Sequence, residues 1–505
     1  MSGNTPIFLF RSLDVVRGGL TKAVLTRANA LVKHFDKVVF LTLEFQPNFR
    51  EIRKELYNTG KLDKKVEVIN LFDDIGDNKK RMKRNKKDEI QEKGYFIFKD
   101  LNNDQPSYRY YQNGLYIKYK RYDNNNNLLF IDYMNESRTR YQRDEYNEKG
   151  VLVRSRQMDL YNNKPKLDRY FNNNGTCYLS VWLNPKTGEQ KRTHYFNKKP
   201  KEYKALYDLF SEWIEDKVKK VKNPIIMSDS RSTDNLVLKV KNKNAKKVAI
   251  LHNNHYKQPY DNSSEIKKTW NPFFENINEF DRIVFLTEEQ KNDIADKFGK
   301  LKSYTVIPHA AIPVKKSRSG IKANYNPHLA VTLARYNSQK RLDEAIKAFK
   351  YVVQEIPTAE YHIYGFGPLY KDLDNLIKRL GLIDNVKLKG FTSDASFTYK
   401  TAACSILTSD YEGFGLVLTE SLASGTPVVA YDIKYGPKDI IRHGIDGFLV
   451  HKGETKEMAN KIIEIMKNKG LRERLSNNAT DVLRRFSVSG YDDNWVSLLK
   501  EINKK

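Results

Sequence analysis

The sequence predicts an α/β protein of two domains facing across a cleft, with an all-β insertion in the first. Three observations carry this. Apolar strand-length runs alternate with helix-period runs over residues 5–75, and again from 203 to the end. From about 95 to 200 the runs become short and alternating, separated by turn signals. A Pro- and Gly-containing stretch, "TVIPHAAIPVKKSRSGIKANYNPH", then splits the later α/β pattern in two. At 505 residues the chain is also too long for one core.

Taken in order, "PIFLF" reads as a buried strand, "LTKAVLTRANALVKHF" as a helix and "KVVFLTLEF" as the next strand. "DNKKRMKRNKKDEIQEK" is a charge run, expected as a solvated linker. The aromatic, basic, Asn-rich segment that follows has turn signals at 112–114, 147–150 and 173–175, and reads as stacked antiparallel hairpins. The α/β pattern resumes with helix "YKALYDLFSEWIEDKVKKV" and strands "PIIMSD", "KVAILHNNH" and "RIVFLT". Beyond the linker come strand "HLAVTLAR", helix "LDEAIKAFKYVVQEI", strand "EYHIYG", helix "YKDLDNLIKRLG" and strand "NVKLKG". The expected boundaries are 1–75 with 203–310 for the first α/β domain, 76–202 for the insertion and 314–485 for the second. Residues 486–505 are expected to return to the first domain, because the stripe Tyr491, Trp495, Leu498 and Leu499 needs a surface to cover.

Lys and Arg number 89 against 62 Asp and Glu, a net charge of +27. Such a balance predicts a polyanionic partner or an acidic surface, with solubility alone as the plain alternative. Interleaved Tyr and Arg in "RYYQNGLYIKYKRY" could also stack nucleic-acid bases, but no nucleic-acid-binding fold is evident and a twin α/β cleft has no role there. Cys177 and Cys404 are too far apart in the chain to suggest a disulfide framework, which fits a reducing cytosol. The N-terminal apolar run is broken by Arg11 and Asp14 and is neither a signal peptide nor a span, so any membrane contact is expected to be peripheral, at the inner face.

Candidate site residues gather at strand ends. Gly18 and Gly19 lie between the first strand and its helix, where backbone N–H groups can seat a phosphate. Gly365 and Gly367 repeat the device in the second domain. Arg335 ends a strand and Lys340 stands at the next helix entrance, so both can neutralise a diphosphate leaving group. His252 ends a buried strand and can hydrogen-bond a sugar; His255 is an acceptor-side candidate, with a structural role as its alternative. Zinc-ligand spacing is absent. Asp372 and Asp374 have D-x-D spacing but fall in an amphipathic helix, so no metal site is expected.

The stretch "LTSDYEGFGLVLTESLASGTPVVAYDIKYGP" holds Glu412 in a Gly-Phe-Gly loop and Glu420 in a helix. The amides of Gly413, Phe414, Gly415 and Leu416, together with Glu412, can grip sugar hydroxyls. Glu420, placed about 12 Å further along a helix at 1.5 Å per residue, can reach a ribose. The two carboxylates then measure out a nucleotide diphosphate sugar instead of acting as an acid/base pair on one bond.

These residues resemble the E-x7-E signature of the retaining, family-4 glycosyltransferases of GT-B fold, two Rossmann-like domains facing a cleft. The insertion, with "TGKLDKKVEVINLFDD" and "DIKYGPKDII", is similar to the subgroup that glycosylates wall teichoic acid, the poly(polyol-phosphate) α-glycosyltransferases. The resemblance implies a UDP-sugar donor, glucose or N-acetylglucosamine, as substrate with no cofactor and no metal. It implies front-face substitution with retention, catalytic roles for Glu412, His252, Arg335 and Lys340, and an oligomer built through the insertion, a trimer first and a dimer second. A cousin group that glycosylates serine-rich adhesin repeats shares the architecture and is the alternative. Either acceptor is a polyanionic polymer.

Overall fold

The computed structural model describes residues 3–15, 18–76, 88–314 and 324–503. The charge run at 77–87 and the linker residues 315–323 lie outside them. The chain divides into two compact units, one of Met1–Thr21, Val32–Met227 and Asn235–Ala245, the other of Lys22–Leu31, Ser228–Asp234 and Lys246–Lys505.

In the first unit β1 (Thr5–Phe10), β2 (Val38–Thr42) and β3 (Val66–Asn70) run parallel, with Ile7 beside Val39 and Val38 beside Val66. β1 and β2 are buried along their whole length, which is why their sequences read as unbroken apolar runs without alternation. With β14 (Pro224–Ser228) the order is β14-β1-β2-β3, leaving β3 at the edge.

The insertion is a ten-stranded antiparallel meander, from β4 (Phe96–Lys99) to β13 (Lys201–Tyr203), each strand pairing with the next. Its second hairpin turns on Asn113 (φ 48°) and Gly114 (φ 77°), the positive-φ pair that matches strand twist in a two-residue turn. Cross-strand ion pairs fill much of the surface: Arg143 meets Asp132 at 2.7 Å and Arg156 meets Asp168 at 2.9 Å. Aromatic rings seat the meander on the parallel strands, with Tyr170 against Phe45 and Phe72 at 5.0 and 4.7 Å. The Tyr178 and Tyr195 hydroxyls donate to the carbonyls of Phe72 and Ile75.

The second unit holds the parallel run β15 (Lys246–Ile250), β16 (Arg282–Phe285) and β17 (Tyr304–Val306). It also holds a six-stranded parallel sheet of β18 (Asn326–Leu333), β19 (Glu360–Tyr364), β20 (Val386–Gly390), β21 (Ala402–Leu407), β22 (Val428–Asp432) and β23 (Gly447–His451). Its order, β20-β19-β18-β21-β22-β23, reverses between β18 and β21. At such a switch point the loops leaving the two strands diverge and open a crevice at their C-terminal ends.

Two expectations need correcting. The stretch taken as a linker begins as structure: Tyr304–Val306 is a strand, and Ile307, His309, Ala310 and Ala311 are buried. Its prolines and polar residues hid this from a period-based reading. In the last helix, Val488–Glu501, Tyr491, Trp495 and Leu499 are buried as expected, but Val496 is more buried than Leu498. Among the described residues no helix is long and apolar enough to cross a membrane. Both cysteines are free.

Candidate active site

The loops after β18 and β21 flank the switch point: Arg335 and Lys340 follow β18, Glu412 follows β21, and Gly365 and Gly367 lie on the neighbouring loop after β19. After β21 the chain runs through Thr408, Ser409 and Glu412 into the helix Leu416–Ala423. Glu412 is 9% exposed. Its Oε1 accepts hydrogen bonds from Lys340 Nζ at 2.6 Å and Ser409 Oγ at 2.7 Å. Its main chain is held on both sides, donating to the Lys434 carbonyl and accepting from the Tyr435 N–H. Gly413 is a steric necessity, since a Cβ there would stand 1.9 Å from the His252 carbonyl oxygen. None of the amides at 413–416 donates to a protein acceptor among the described residues.

Glu420 sits in the second turn of the helix, where its Oε1 accepts from Lys22 Nζ at 2.5 Å. The helix starts only at Leu416, so the two carboxylates do not share one axis, and the 12 Å ruler along a helix is withdrawn. Glu420 instead lines a separate crevice with Lys22, His309, Ala310, Leu416 and Tyr491.

His252 Nε2 lies 2.7 Å from Asp229 Oδ1, and Asp229 Oδ2 accepts from Arg27 Nη2 at 2.5 Å. Burial alone would raise the Asp229 pKa, but the Arg27 charge and the His252 hydrogen bond outweigh it and hold the carboxyl below the usual range. An ionised Asp229 can only accept, so Nε2 carries the proton and Nδ1 keeps its lone pair. Burial also lowers the His252 pKa and pushes that of His309 well below the ordinary value. The two rings stack at 5.4 Å, and His309 meets Phe414 edge-on. Arg27 is itself held over the Trp495 ring at 4.5 Å.

Arg335 is exposed and has no salt-bridge partner among the described residues. Gly365 and Gly367 explain how its loop is held. A Cβ on Gly365 would stand 1.8 Å from the Ala334 carbonyl oxygen, and one on Gly367 would stand 2.4 Å from that of Tyr336. These glycines let one backbone lie against another on either side of Arg335, a different reason for glycine than phosphate access. Gly18 is exposed and Gly19 opens the helix Gly19–Leu31, with open space where the Gly18 side chain would be.

His255 is wholly buried among Tyr256, Trp270, Phe274 and Tyr435, and burial drives its pKa down to about 3. A ring in that cage has no face for an acceptor, so the acceptor-side expectation is corrected to a structural role. Asp374 pairs with Lys378 on the exposed side of the helix Tyr370–Arg379. No group of three or more potential metal ligands occurs among the described residues.

Asp229, Arg27, His309 and Ser409 were missed from sequence. Asp229 had a signal, a lone carboxylate directly after a fully buried strand. Arg27 had none, since it sits mid-helix like any surface residue. The four "RYYQNGLYIKYKRY" cations are engaged: Arg109 pairs with Asp100, Lys118 with Glu92 and Lys120 with Asp88, while Arg121 donates to the Asn103 side chain, so they do not form a free stacking platform.

The family model of glycosyl transferases group 1 matches residues 314–482, and that of glycosyl transferase 1 domain A matches residues 7–195. The sequence is 31% identical to a poly(glycerol-phosphate) alpha-glucosyltransferase of Bacillus subtilis (strain 168), over 98% of this chain and 75% of that one. The chain belongs to the group 1 glycosyltransferases. This glycosyltransferase is also 26% identical to a poly(ribitol-phosphate) alpha-N-acetylglucosaminyltransferase of Staphylococcus aureus (strain COL), over 97% and 98% of the two chains. Its fold is shared with a crystal structure of an S. aureus TarM mutant in complex with Fondaparinux, alpha-GlcNAc-glycerol and UDP. The TM-score there is 0.84 at 24% identity, over 99% of this chain and 100% of that one. The pneumococcal O-GlcNAc transferase GtfA, solved with UDP and GlcNAc, shares the fold at TM-score 0.71 and 18% identity, over 99% of each chain. The fold class is therefore GT-B, and the protein is a UDP-sugar-dependent hexosyltransferase of the retaining class.

Proposed function

We propose that the enzyme transfers glucose or N-acetylglucosamine, with retention, from a UDP-sugar to hydroxyls of a poly(glycerol- or ribitol-phosphate) chain. The observation that carries the acceptor is the whole-chain likeness to a poly(glycerol-phosphate) alpha-glucosyltransferase, insertion included. In this account residues 1–75 and 203–310 form the acceptor domain, 314–485 the nucleotide-sugar domain, and 76–202 the insertion.

The site geometry supports a front-face substitution. Arg335 and Lys340 take the charge that develops on the diphosphate as the glycosidic C–O bond breaks. Glu412 and the amides at 413–416 orient the hexose, Glu420 the ribose, and the free Nδ1 of His252 a sugar hydroxyl. The acceptor oxygen attacks the face the diphosphate leaves, and its proton passes to that phosphate. No nucleophilic side chain of the protein is needed, and activity should survive EDTA. The sugar donor places the reaction in the cytoplasm, with peripheral contact at the inner membrane face.

The test offers each labelled UDP-sugar with poly(glycerol phosphate), poly(ribitol phosphate) and a serine-rich repeat peptide. Transfer to a polyol-phosphate is expected. Transfer to the peptide alone would replace the acceptor while keeping the enzyme class.

A further inference from the structure

A groove of the first unit lies along the edge strand β3, away from every residue given a catalytic or donor-binding role above. About 550 Å³ in volume, it is lined by Arg53, Tyr57, Lys64 and Lys65 and ends at Arg50 and Asp73. That is ample for a ligand segment. Its charges are lopsided once pairs are removed. Each carboxylate on its wall already faces a cation: Glu67 pairs with Lys37 at 2.8 Å, Asp73 with Arg50 at 2.7 Å, and Asp74 with Lys217 at 2.5 Å. Arg53, Lys64 and Lys65 pair with no carboxylate among the described residues. Arg53 donates to the Val68 carbonyl and lies over the Phe49 ring, which fixes its guanidinium on the groove wall. Lys64 and Lys65 are exposed.

The groove does not end blindly. Arg50, Asn70 and Asp73 also line a second pocket, at the C-terminal ends of β2 and β3, closed on its far side by the insertion. That pocket has the opposite character. Phe45, Phe49 and Phe171 give it apolar walls, and Gln46 Oε1 is buried there with no hydrogen-bond partner. Beside the Arg50-paired Asp73, Glu148 is a second carboxylate at its rim. Burial and this neighbouring carboxylate raise the Glu51 pKa to about 7.

A chain of alternating phosphodiesters and polyols suits this sequence of surfaces: unpaired cations along the groove, then a pocket with a hydrogen-bond acceptor waiting for a hydroxyl. We propose that the β3 groove and the adjoining pocket form a holding site for the acceptor polymer, with phosphodiesters on Arg53, Lys64 and Lys65 and a polyol unit against Gln46. This inference rests on the polyol-phosphate acceptor proposed above. It adds that the polymer is gripped at a site that takes no part in the chemistry, so long acceptors gain over single units.

The test compares the wild-type enzyme with the triple variant Arg53→Glu, Lys64→Glu, Lys65→Glu, and with Gln46→Ala. Binding of poly(glycerol phosphate) of defined length is measured by calorimetry. Transfer is measured to that polymer and to glycerol 3-phosphate. The triple variant should bind the polymer at least about tenfold more weakly and show a KM raised by the same factor, a change of one decade in affinity. Its transfer to glycerol 3-phosphate and its donor hydrolysis should stay within about twofold, which also shows that it folds. Gln46→Ala should raise the polymer KM by a smaller factor. Unchanged polymer binding and KM in the triple variant would overturn the holding site and leave the acceptor class standing. Polymer binding that is lost in the variant, in an enzyme that transfers only to serine-rich peptide, would overturn the acceptor class and leave the anion site standing. Equal weakening toward polymer and monomer would also overturn it, by showing a general effect on the reaction.

Discussion

At the residue scale, Glu412 and Lys340 must be considered together. The sequence suggested separate tasks for them, hexose and diphosphate, yet they form one buried ion pair with Ser409. Removing one side of such a pair strands the other, at up to about 3 kcal/mol for groups this enclosed. Glu412→Gln keeps an oxygen for both donors but not the counter-charge of Lys340, so it should lose part of that stability while kcat falls by about 10²–10³. Glu420→Ala should instead raise the donor KM about tenfold or more, the worth of a carboxylate hydrogen bond to a hydroxyl, with kcat little changed. Steady-state kinetics on both variants check this, and a common loss of kcat would contradict the division of labour. The histidines give a pH dependence. His252, His255 and His309 all have native pKa values lowered by burial. The unfolded chain therefore binds protons that the native state refuses as pH falls below about 6.5, and stability drops by up to about 1.4 kcal/mol per pH unit per histidine. Asp229 acts in the same direction at lower pH, because its lowered pKa stabilises only the ionised form. Raised carboxyls such as Glu51 and Asp439 act in the opposite direction, so the test is differential: going from pH 7 to pH 5 should cost His309→Gln less melting temperature than the wild type, and identical changes would show that His309 is not held neutral. His252 was legible as a strand-end polar residue. Arg27, which holds the partner Asp229, was not, because nothing in a local pattern reveals a contact made by a residue 202 positions from Asp229.

At the element scale, strands and helices of strong period were legible, and the failures have physical causes. The run at 305–311 was read as linker because the end of a three-residue strand and a buried extended segment show no period. The last helix was read from its stripe, but not for what it does. Trp495, 1% exposed, packs under Arg27, which holds Asp229, and Asp229 in turn bonds His252. Trp495→Ala should cost about 3–5 kcal/mol in urea unfolding and reduce transfer in the fraction that remains folded. Trp495→Phe should restore most of both, and full activity in the alanine variant would break the link from helix to site. The meander was legible from its turns, since Asn113 and Gly114 announce their own geometry. Its outer strand β4 carries Phe96 and Phe98, 72% and 58% exposed, on an edge with no further strand among the described residues. Such an edge invites pairing or cover. A homo-oligomer through this surface, a trimer before a dimer, is expected in light scattering; Phe96→Lys with Phe98→Lys should shift it to monomer, and a wild-type mass of 59 kDa would contradict it.

At the scale of the whole molecule, the fold class was legible because alternation of strand and helix is written along the chain, and the change of texture at 95–200 marks the insertion. The surplus charge was legible only as a total. The structure shows where it is spent: cross-strand carboxylates neutralise much of it in the meander, while Arg53, Lys64 and Lys65 on the β3 edge remain unpaired. The central claim is a retaining transfer without a protein nucleophile, from a UDP-sugar to a polyol-phosphate chain. The most direct measurement is proton NMR of the glycosylated polymer, made by the purified enzyme from UDP-glucose or UDP-N-acetylglucosamine and poly(glycerol phosphate) in the presence of EDTA. The account predicts a new anomeric signal with the small coupling of an α-linked sugar. A β-linked product, or transfer that stops when EDTA is added, would contradict it.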